Sequence, residues 1–125
     1  MNKKGLIVLG HGSRAPEATE TLAEITAMVA AKTDYARVAY ASLQLSEPGL
    51  PAVVDEMVGL GIRDILVLPF LIAVGQHLKS DIPAELALLG EKYPGLQYKL
   101  AGPLGADPRL AEVLLDRAAE AEKGR

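Results

Sequence analysis

Few residues of this chain could carry chemistry, because its 125 residues include two histidines, His11 and His77, and no cysteine. Without cysteine there can be no disulfide, thiolate zinc site, iron–sulfur cluster or cysteine nucleophile. A neutral imidazole, in contrast, binds first-row divalent metals and accepts protons near neutral pH. The sequence therefore predicts chemistry centred on these two histidines.

His11 lies in the segment 10–15, GHGSRA. Its glycines allow a sharp turn and a close approach of the backbone to a ligand. The segment fits the G-x-G-x-x-A pattern of dinucleotide sites, but Gln44 stands where that pattern needs an acidic ribose partner. A second hypothesis makes His11 a phosphoryl acceptor. Histidine phosphatases have an arginine in the place of Gly10, whereas mannose-type phosphotransferase IIA domains share the His-Gly ending, so a phosphohistidine carrier that uses His11 alone stays open.

His77 lies in the segment 75–83, GQHLKSDIP, which predicts a glycine-containing loop before a helix. Two histidines at one edge of a fold can hold a divalent metal in an open site. A site with so few protein ligands suits transient delivery better than a structural metal, which takes four. The alternative is that His11 only hydrogen-bonds within its turn and His77 only packs or caps.

Strands and helices alternate regularly along the chain and must position these residues. The predicted strands cover residues 5–9, 38–43, 65–68 and 96–100. Helical spacing predicts helices that start near residues 18, 46–48, 81–83 and 107–108. In the last helix the residues predicted to face inward are Leu110, Val113, Leu114 and Ala118. This pattern predicts one α/β domain over residues 1–125, a three-layer fold with a four-stranded parallel sheet and helices on both faces.

In such sheets ligands bind at the carboxyl ends of the strands. His11, Gln44 and His77 each follow a predicted strand, so we expect them at one edge of the sheet. The segment 69–74, PFLIAV, stays apolar after its strand, and predicts a buried strand end, a dimer contact or a wall for a flat apolar ligand. Arg14 and Lys79 flank the two histidines and could meet ligand carboxylates.

The charge balance narrows the classes of partner. Thirteen Lys and Arg residues face sixteen Asp and Glu residues, giving a formal net charge of −3. That balance argues against a general nucleic-acid binder. The first residues turn polar too soon for a signal peptide, and no membrane partner is expected, so we predict a cytoplasmic protein.

Three segments together resemble a known family: 5–14, GLIVLGHGSR; 43–48, LQLSEP; and 69–83, PFLIAVGQHLKSDIP. They resemble the short class II chelatases, the CbiX-type sirohydrochlorin chelatases. The resemblance implies a chelatase-like fold, which corresponds to one flavodoxin-like half of a longer chelatase. It also implies a lyase that inserts Co²⁺, Fe²⁺ or Ni²⁺ into sirohydrochlorin or a related tetrapyrrole without ATP, in cobalamin or sirohaem biosynthesis. The metal is then a substrate, and no organic cofactor is expected.

By the same resemblance, His11 and His77 are the metal ligands and the catalytic proton acceptors. The residues expected to bind the tetrapyrrole are Ser13, Arg14, Gln44, Phe70 and Lys79. Many family members have a glutamate at the position of Gln44, and an amide cannot act as a base. A tetrapyrrole- or metal-binding protein without turnover therefore stays open beside the enzyme. Longer related chelatases resemble two such halves in one chain, which predicts that this chain forms a homodimer.

Overall fold

The chain folds around one parallel β-sheet. A computed structural model describes residues 3–124, apart from the side chain of His77. The strands are β1 (Lys4–Gly10), β2 (Arg37–Ser42), β3 (Asp64–Pro69) and β4 (Gln97–Leu100). The helices are α1 (Pro16–Ala31), α2 (Leu50–Gly59), α3 (Gln76–Lys92) and α4 (Pro108–Lys123). The four strands pair in parallel in the order β2-β1-β3-β4. The predicted fold class, a three-layer α/β fold, is confirmed.

Strand β1 lies inside the sheet, between β2 and β3, and its apolar run is covered on both faces. Ile7 and Leu9 belong to the core between the sheet and helices α2 and α3. Leu6 and Val8 point to the other face, where α1 packs, and are equally buried. A run without alternation is typical of a parallel strand of this kind. The strand order reverses between β1 and β3, which places the crevice for a ligand at the carboxyl end of β1.

Helix α3 begins earlier than the sequence predicts. We expected its start at residues 81–83 and placed His77 in a loop, but the helix begins at Gln76, so the backbone of His77 is helical. Pro83 therefore lies inside the helix, where it removes one hydrogen bond. The helix continues past Pro83 because Ile82 and Leu86 are buried in the core. The predicted loop position of His77 and the predicted start of α3 are wrong for this reason.

Helix α2, in contrast, starts later than the predicted residues 46–48. The backbone N–H of Ser42 donates to the carbonyl of Pro48 at 2.8 Å, so the segment between them forms a closed turn rather than a first helical turn. The helix begins at Leu50, which is buried with Val53 and Met57 on the face toward the sheet. The expected helix and its apolar face are present, with a shifted start.

Helix α4 forms as predicted but does not pack inward. Asp107 caps it, accepting a hydrogen bond from the backbone N–H of Arg109 at 2.9 Å. None of its residues is buried, and Val113 and Leu114 are 45% and 71% exposed. The prediction that one face of α4 packs inward is therefore wrong within one chain, because no surface of the sheet among the described residues covers that face.

Within residues 3–124, none of the helices combines the length and the apolar character needed to cross a bilayer.

Candidate functional site

Backbone hydrogen bonds hold together the segments that follow three strands. The N–H of Leu43 donates to the carbonyl of Gly10 at 2.9 Å, and the N–H of Phe70 donates to the carbonyl of Leu9 at 2.7 Å. These bonds continue the β2-β1-β3 ladders beyond the strand ends. His11 consequently lies between the turn after β2 and the segment after β3, at the edge where the strand order reverses.

Gly12 sets the distance between the first two turns. Its φ is +102°, a conformation that side-chain-bearing residues rarely adopt. A Cβ at this position would lie 1.7 Å from the carbonyl oxygen of Gln44. The backbone after β1 therefore touches the backbone after β2, and only glycine fits at this contact.

Hydroxyl groups connect the same turns. The Oγ of Ser46 donates to the Oγ of Ser42 at 3.0 Å and accepts the backbone N–H of Ser13 at 3.3 Å. The Oγ of Ser13 in turn accepts the N–H of Ala15 at 3.0 Å, just before α1. This chain of contacts fixes the entry to α1 against the turn after β2.

His11 is exposed and lines two cavities, one on each side of its turn. The α1-side cavity holds about 330 Å³ and is lined by Gly10, His11, Gly12, Ser13, Ala18, Thr19, Thr21, Leu22, Ser42, Ser46 and Phe70. The α3-side cavity holds about 380 Å³ and is lined by His11, Leu43, Gln44, Leu78, Asp81, Ile82 and Glu85. The first lining is apolar with hydroxyl groups, whereas the second carries two carboxylates and, among residues 3–124, no lysine or arginine. The imidazole of His11 thus stands between an uncharged space and an acidic one.

The family model for CbiX matches residues 5–121, nearly the whole of this fold and all of the site. The chain belongs to the CbiX family. The family resemblance predicted from the sequence is thereby confirmed.

Several named proteins are similar to this chain over most of its length. The sirohydrochlorin cobaltochelatase of Methanothermobacter thermautotrophicus is 32% identical, with 95% of this chain and 93% of that protein covered. The chloroplastic sirohydrochlorin ferrochelatase of Arabidopsis thaliana is 34% identical over 90% of this chain and 50% of that protein. A solved structure of the sirohydrochlorin chelatase SirB from Bacillus subtilis subspecies spizizenii, in complex with cobalt, has a TM-score of 0.86 and 27% identity. The match covers 96% of this chain and 51% of SirB, so the chain spans about half the length of SirB and of the plant enzyme.

For this CbiX chain, the structure brings together four of the residues predicted to form the site. His11, Ser13 and Phe70 line the α1-side cavity, and His11 and Gln44 line the α3-side cavity. Lys79 lies apart, in a smaller cavity of about 170 Å³ that also contacts Leu78. Their roles toward metal and tetrapyrrole stay predictions.

Two predicted residues are outside these cavities or outside the description. Arg14 is exposed on the turn that leads into α1. The predicted ligand His77 has a helical backbone in the first turn of α3, and its side chain lies outside the described part of the structure. Among the side chains that are described, no three His, Asp or Glu residues are arranged to hold a metal ion. The metal pair of His11 and His77 therefore stays a prediction for this CbiX chain.

The sequence did not single out Asp81 and Glu85 as residues of the site. The helix start predicted at residues 81–83 puts Asp81 at the end of a loop rather than on the side of a helix. With α3 starting at Gln76, positions 77, 81 and 85 follow one another at intervals of four residues, which places them on one side of the helix. That spacing was visible in the sequence, but its meaning depended on where the helix begins.

Proposed function

We propose that this chain inserts a divalent metal ion, Co²⁺ or Fe²⁺, into sirohydrochlorin or a related tetrapyrrole without ATP. The observation that carries this proposal is the position of His11 between two cavities, at the reversal of strand order. The names of its CbiX relatives, cobaltochelatase and ferrochelatase, support the reaction and both metals. Ni²⁺ is the third ion to test. A phosphohistidine carrier is not favoured, because nothing among these relatives points to phosphoryl transfer.

The reaction exchanges one M²⁺ for the two protons on the pyrrole nitrogens, so the products are the metallated macrocycle and two H⁺. A neutral imidazole beside the metal can accept one of those protons, and the side chain of His11 is exposed in the site. His77 is proposed as the second ligand and proton acceptor. Gln44, in the same cavity as His11, offers an amide that can hydrogen-bond but cannot take a proton.

The remaining residues of the site are proposed to hold the macrocycle. Phe70, half-buried in the α1-side cavity, offers an apolar contact for a flat ring. The guanidinium of Arg14 and the ammonium of Lys79 are exposed and can pair with peripheral carboxylates. Ser13 adds a polar neighbour to His11.

We further propose that two copies of the chain form the complete chelatase. The apolar residues of α4, with Val113 and Leu114 exposed, have no partner surface within residues 3–124. On the α1 face of the sheet, Leu66 and Leu68 of β3 are only half-buried, because α1 packs on β1 and β2. Exchange of α4 between two copies would cover both apolar surfaces at once. SirB is about twice as long as this chain, and this length supports a complete chelatase made of two CbiX-sized units.

Sedimentation equilibrium at micromolar concentration tests the dimer. Leu114→Asp, at a position 71% exposed in one chain, is expected to leave the fold intact and to shift the protein to monomer. Leu60→Asp, at a position 53% exposed after α2, is the matched control and should stay dimeric. A wild-type monomer would contradict the dimer, and a dimeric Leu114→Asp variant would contradict the exchange of α4.

The activity is tested by mixing the protein with sirohydrochlorin and Co²⁺, Fe²⁺ or Ni²⁺ without oxygen and following the visible spectrum. We expect a rate above the metal-only control, and loss of that rate in His11→Ala and in His77→Ala. A spectral shift with the tetrapyrrole but no turnover with any of the three ions would indicate that the protein binds tetrapyrrole without catalysing metal insertion. A phosphocarrier would need His11 only, so it would tolerate His77→Ala. We also propose that residues 1–125 form one chelatase domain and that the protein acts in the cytoplasm.

A further inference from the structure

The backbone at Leu45, in the turn after β2, has a conformation that is rare for a leucine. Within residues 3–124, Leu45 is the one residue other than glycine with a positive φ, which is +67°. The N–H of Ser46 donates to the carbonyl of Gln44 at 2.8 Å, and this bond closes a three-residue γ-turn around Leu45. A γ-turn with a positive φ at its central residue is strained, and the left-handed region favours glycine or asparagine. A leucine at this position therefore lowers the stability of the fold.

The residues on both sides of Leu45 are held by the turn after β1, which keeps the strain in place. The carbonyl of Gln44 lies against Gly12, where an added Cβ would be 1.7 Å from the carbonyl oxygen. The Oγ of Ser46 accepts the backbone N–H of Ser13 at 3.3 Å. Strained backbone persists only where the surrounding structure determines it, and it is concentrated at functional sites.

The strained turn also carries an exposed apolar side chain at the edge of the site. Leu45 is 54% exposed, and its two neighbours in the chain line the two cavities, Gln44 on the α3 side and Ser46 on the α1 side. Ile72 after β3 and Leu104 after β4 are further large apolar residues that are exposed where these strands end. Exposed apolar side chains around a cavity favour a ligand with a large apolar surface.

We propose that Leu45 contacts the apolar face of the tetrapyrrole and that the γ-turn holds its side chain in position for this contact. This inference rests on the proposed chelatase function and adds a binding residue to it. A leucine has no group that binds a metal ion or accepts a proton, so its contribution is to the affinity for the macrocycle. The chain thus retains a residue that lowers its stability because that residue improves binding.

Titration of the full chain with metal-free sirohydrochlorin, followed by the fluorescence of the tetrapyrrole, tests this contact without turnover. Leu45→Ala removes most of the apolar surface of the side chain and should weaken binding about tenfold. The KM for sirohydrochlorin should rise by a similar factor while kcat stays within about twofold. Leu60→Ala is the matched control, because Leu60 is 53% exposed and has an ordinary φ of −87°. It should change neither quantity.

Glycine at the same two positions separates the contact from the strain. Glycine adopts a positive φ without steric cost, so Leu45→Gly should melt about 4 °C above Leu45→Ala, while both variants bind sirohydrochlorin equally weakly. At Leu60 the order should be reversed, with Leu60→Ala melting above Leu60→Gly, because glycine lowers stability where φ is negative.

Each part of the inference has its own contradicting result. Wild-type affinity in Leu45→Ala would overturn the contact. Loss of affinity together with dissociation of a dimer in sedimentation equilibrium would also overturn it, since Leu45 would then lie between subunits. A Leu45→Gly protein that melts no higher than Leu45→Ala would overturn the role of the strained turn. If the wild type binds sirohydrochlorin through Leu45 but never metallates it, the proposed function fails while the contact stands.

Discussion

The contact between Gly12 and Gln44 makes the turn after β1 sensitive to any added side chain. We consider Gly12→Ala, which adds a single methyl group. The added Cβ would lie 1.7 Å from the Gln44 carbonyl oxygen, whereas a carbon–oxygen contact needs about 3.3 Å. The two turns must therefore separate by roughly 1.5 Å.

Two costs contribute to the expected destabilisation. Holding an alanine at a φ of +102° costs about 2 kcal/mol. Separating the turns removes the hydrogen bond from the Leu43 N–H to the Gly10 carbonyl, at a net cost of about 1 kcal/mol. We expect the free energy of unfolding to fall by about 3 kcal/mol in total. For a domain of this size the melting temperature should then fall by about 10 °C.

Urea unfolding followed by circular dichroism measures this loss, and the chelatase assay at low temperature measures its effect on the site. A displacement of about 1 Å at a reacting group can reduce the rate about 100-fold, so we expect a loss of that order in the folded variant. The control is Gly59→Ala, at the end of α2, where a Cβ meets no atom within 4 Å. It should leave stability unchanged or raise it by up to about 1 kcal/mol. A Gly12→Ala protein within about 0.5 kcal/mol of wild type would refute this reasoning.

Three further predictions concern the core and the surface. Met57 is fully buried against the sheet, so Met57→Ala should lower the free energy of unfolding by about 3 kcal/mol in the same urea assay. The Arg109 guanidinium, which hydrogen-bonds to Asp107, holds the pKa of that carboxyl well below its usual range. Because the folded pKa is lowered, the pair stabilises the protein fully above the unfolded pKa of about 3.9 and loses this effect as the pH falls toward the folded pKa. An NMR titration of Asp107 should show the low pKa, and Arg109→Gln should raise it. Arg37 and Glu56 form an exposed ion pair with a nitrogen–oxygen distance of 3.1 Å, so Glu56→Gln should cost less than about 1 kcal/mol, and nothing measurable in 1 M salt.

Hydrophobic pattern was enough to predict the sheet and its helices. The short apolar run before Gly10 indicated the first strand, and Asp107 before Pro108 indicated the start of α4. These features are local, since each depends on a few neighbouring residues. The parallel arrangement followed from the need for crossover connections between consecutive strands, whereas the sequence did not predict the strand order β2-β1-β3-β4.

The failures arose where tertiary packing overrides a local signal. Pro83 marked a helix start in the sequence, but the burial of Ile82 and Leu86 carries α3 through it. The placement of Glu85 in the site depended on that start, and so could not be predicted. The exposed face of α4 was misassigned because a periodic pattern shows that a helix has an apolar side but not which chain covers it.

The ladder that joins the turns after β1, β2 and β3 is made of main-chain atoms only. Gly10 and Leu9 contribute carbonyl groups, and Leu43 and Phe70 contribute N–H groups, so the frame of the site does not depend on the side chain at position 44. A glutamate or a glutamine can occupy that position without moving the imidazole of His11. Evolution can therefore adjust the charge of the α3-side cavity by single codon changes while the architecture of the site is inherited unchanged.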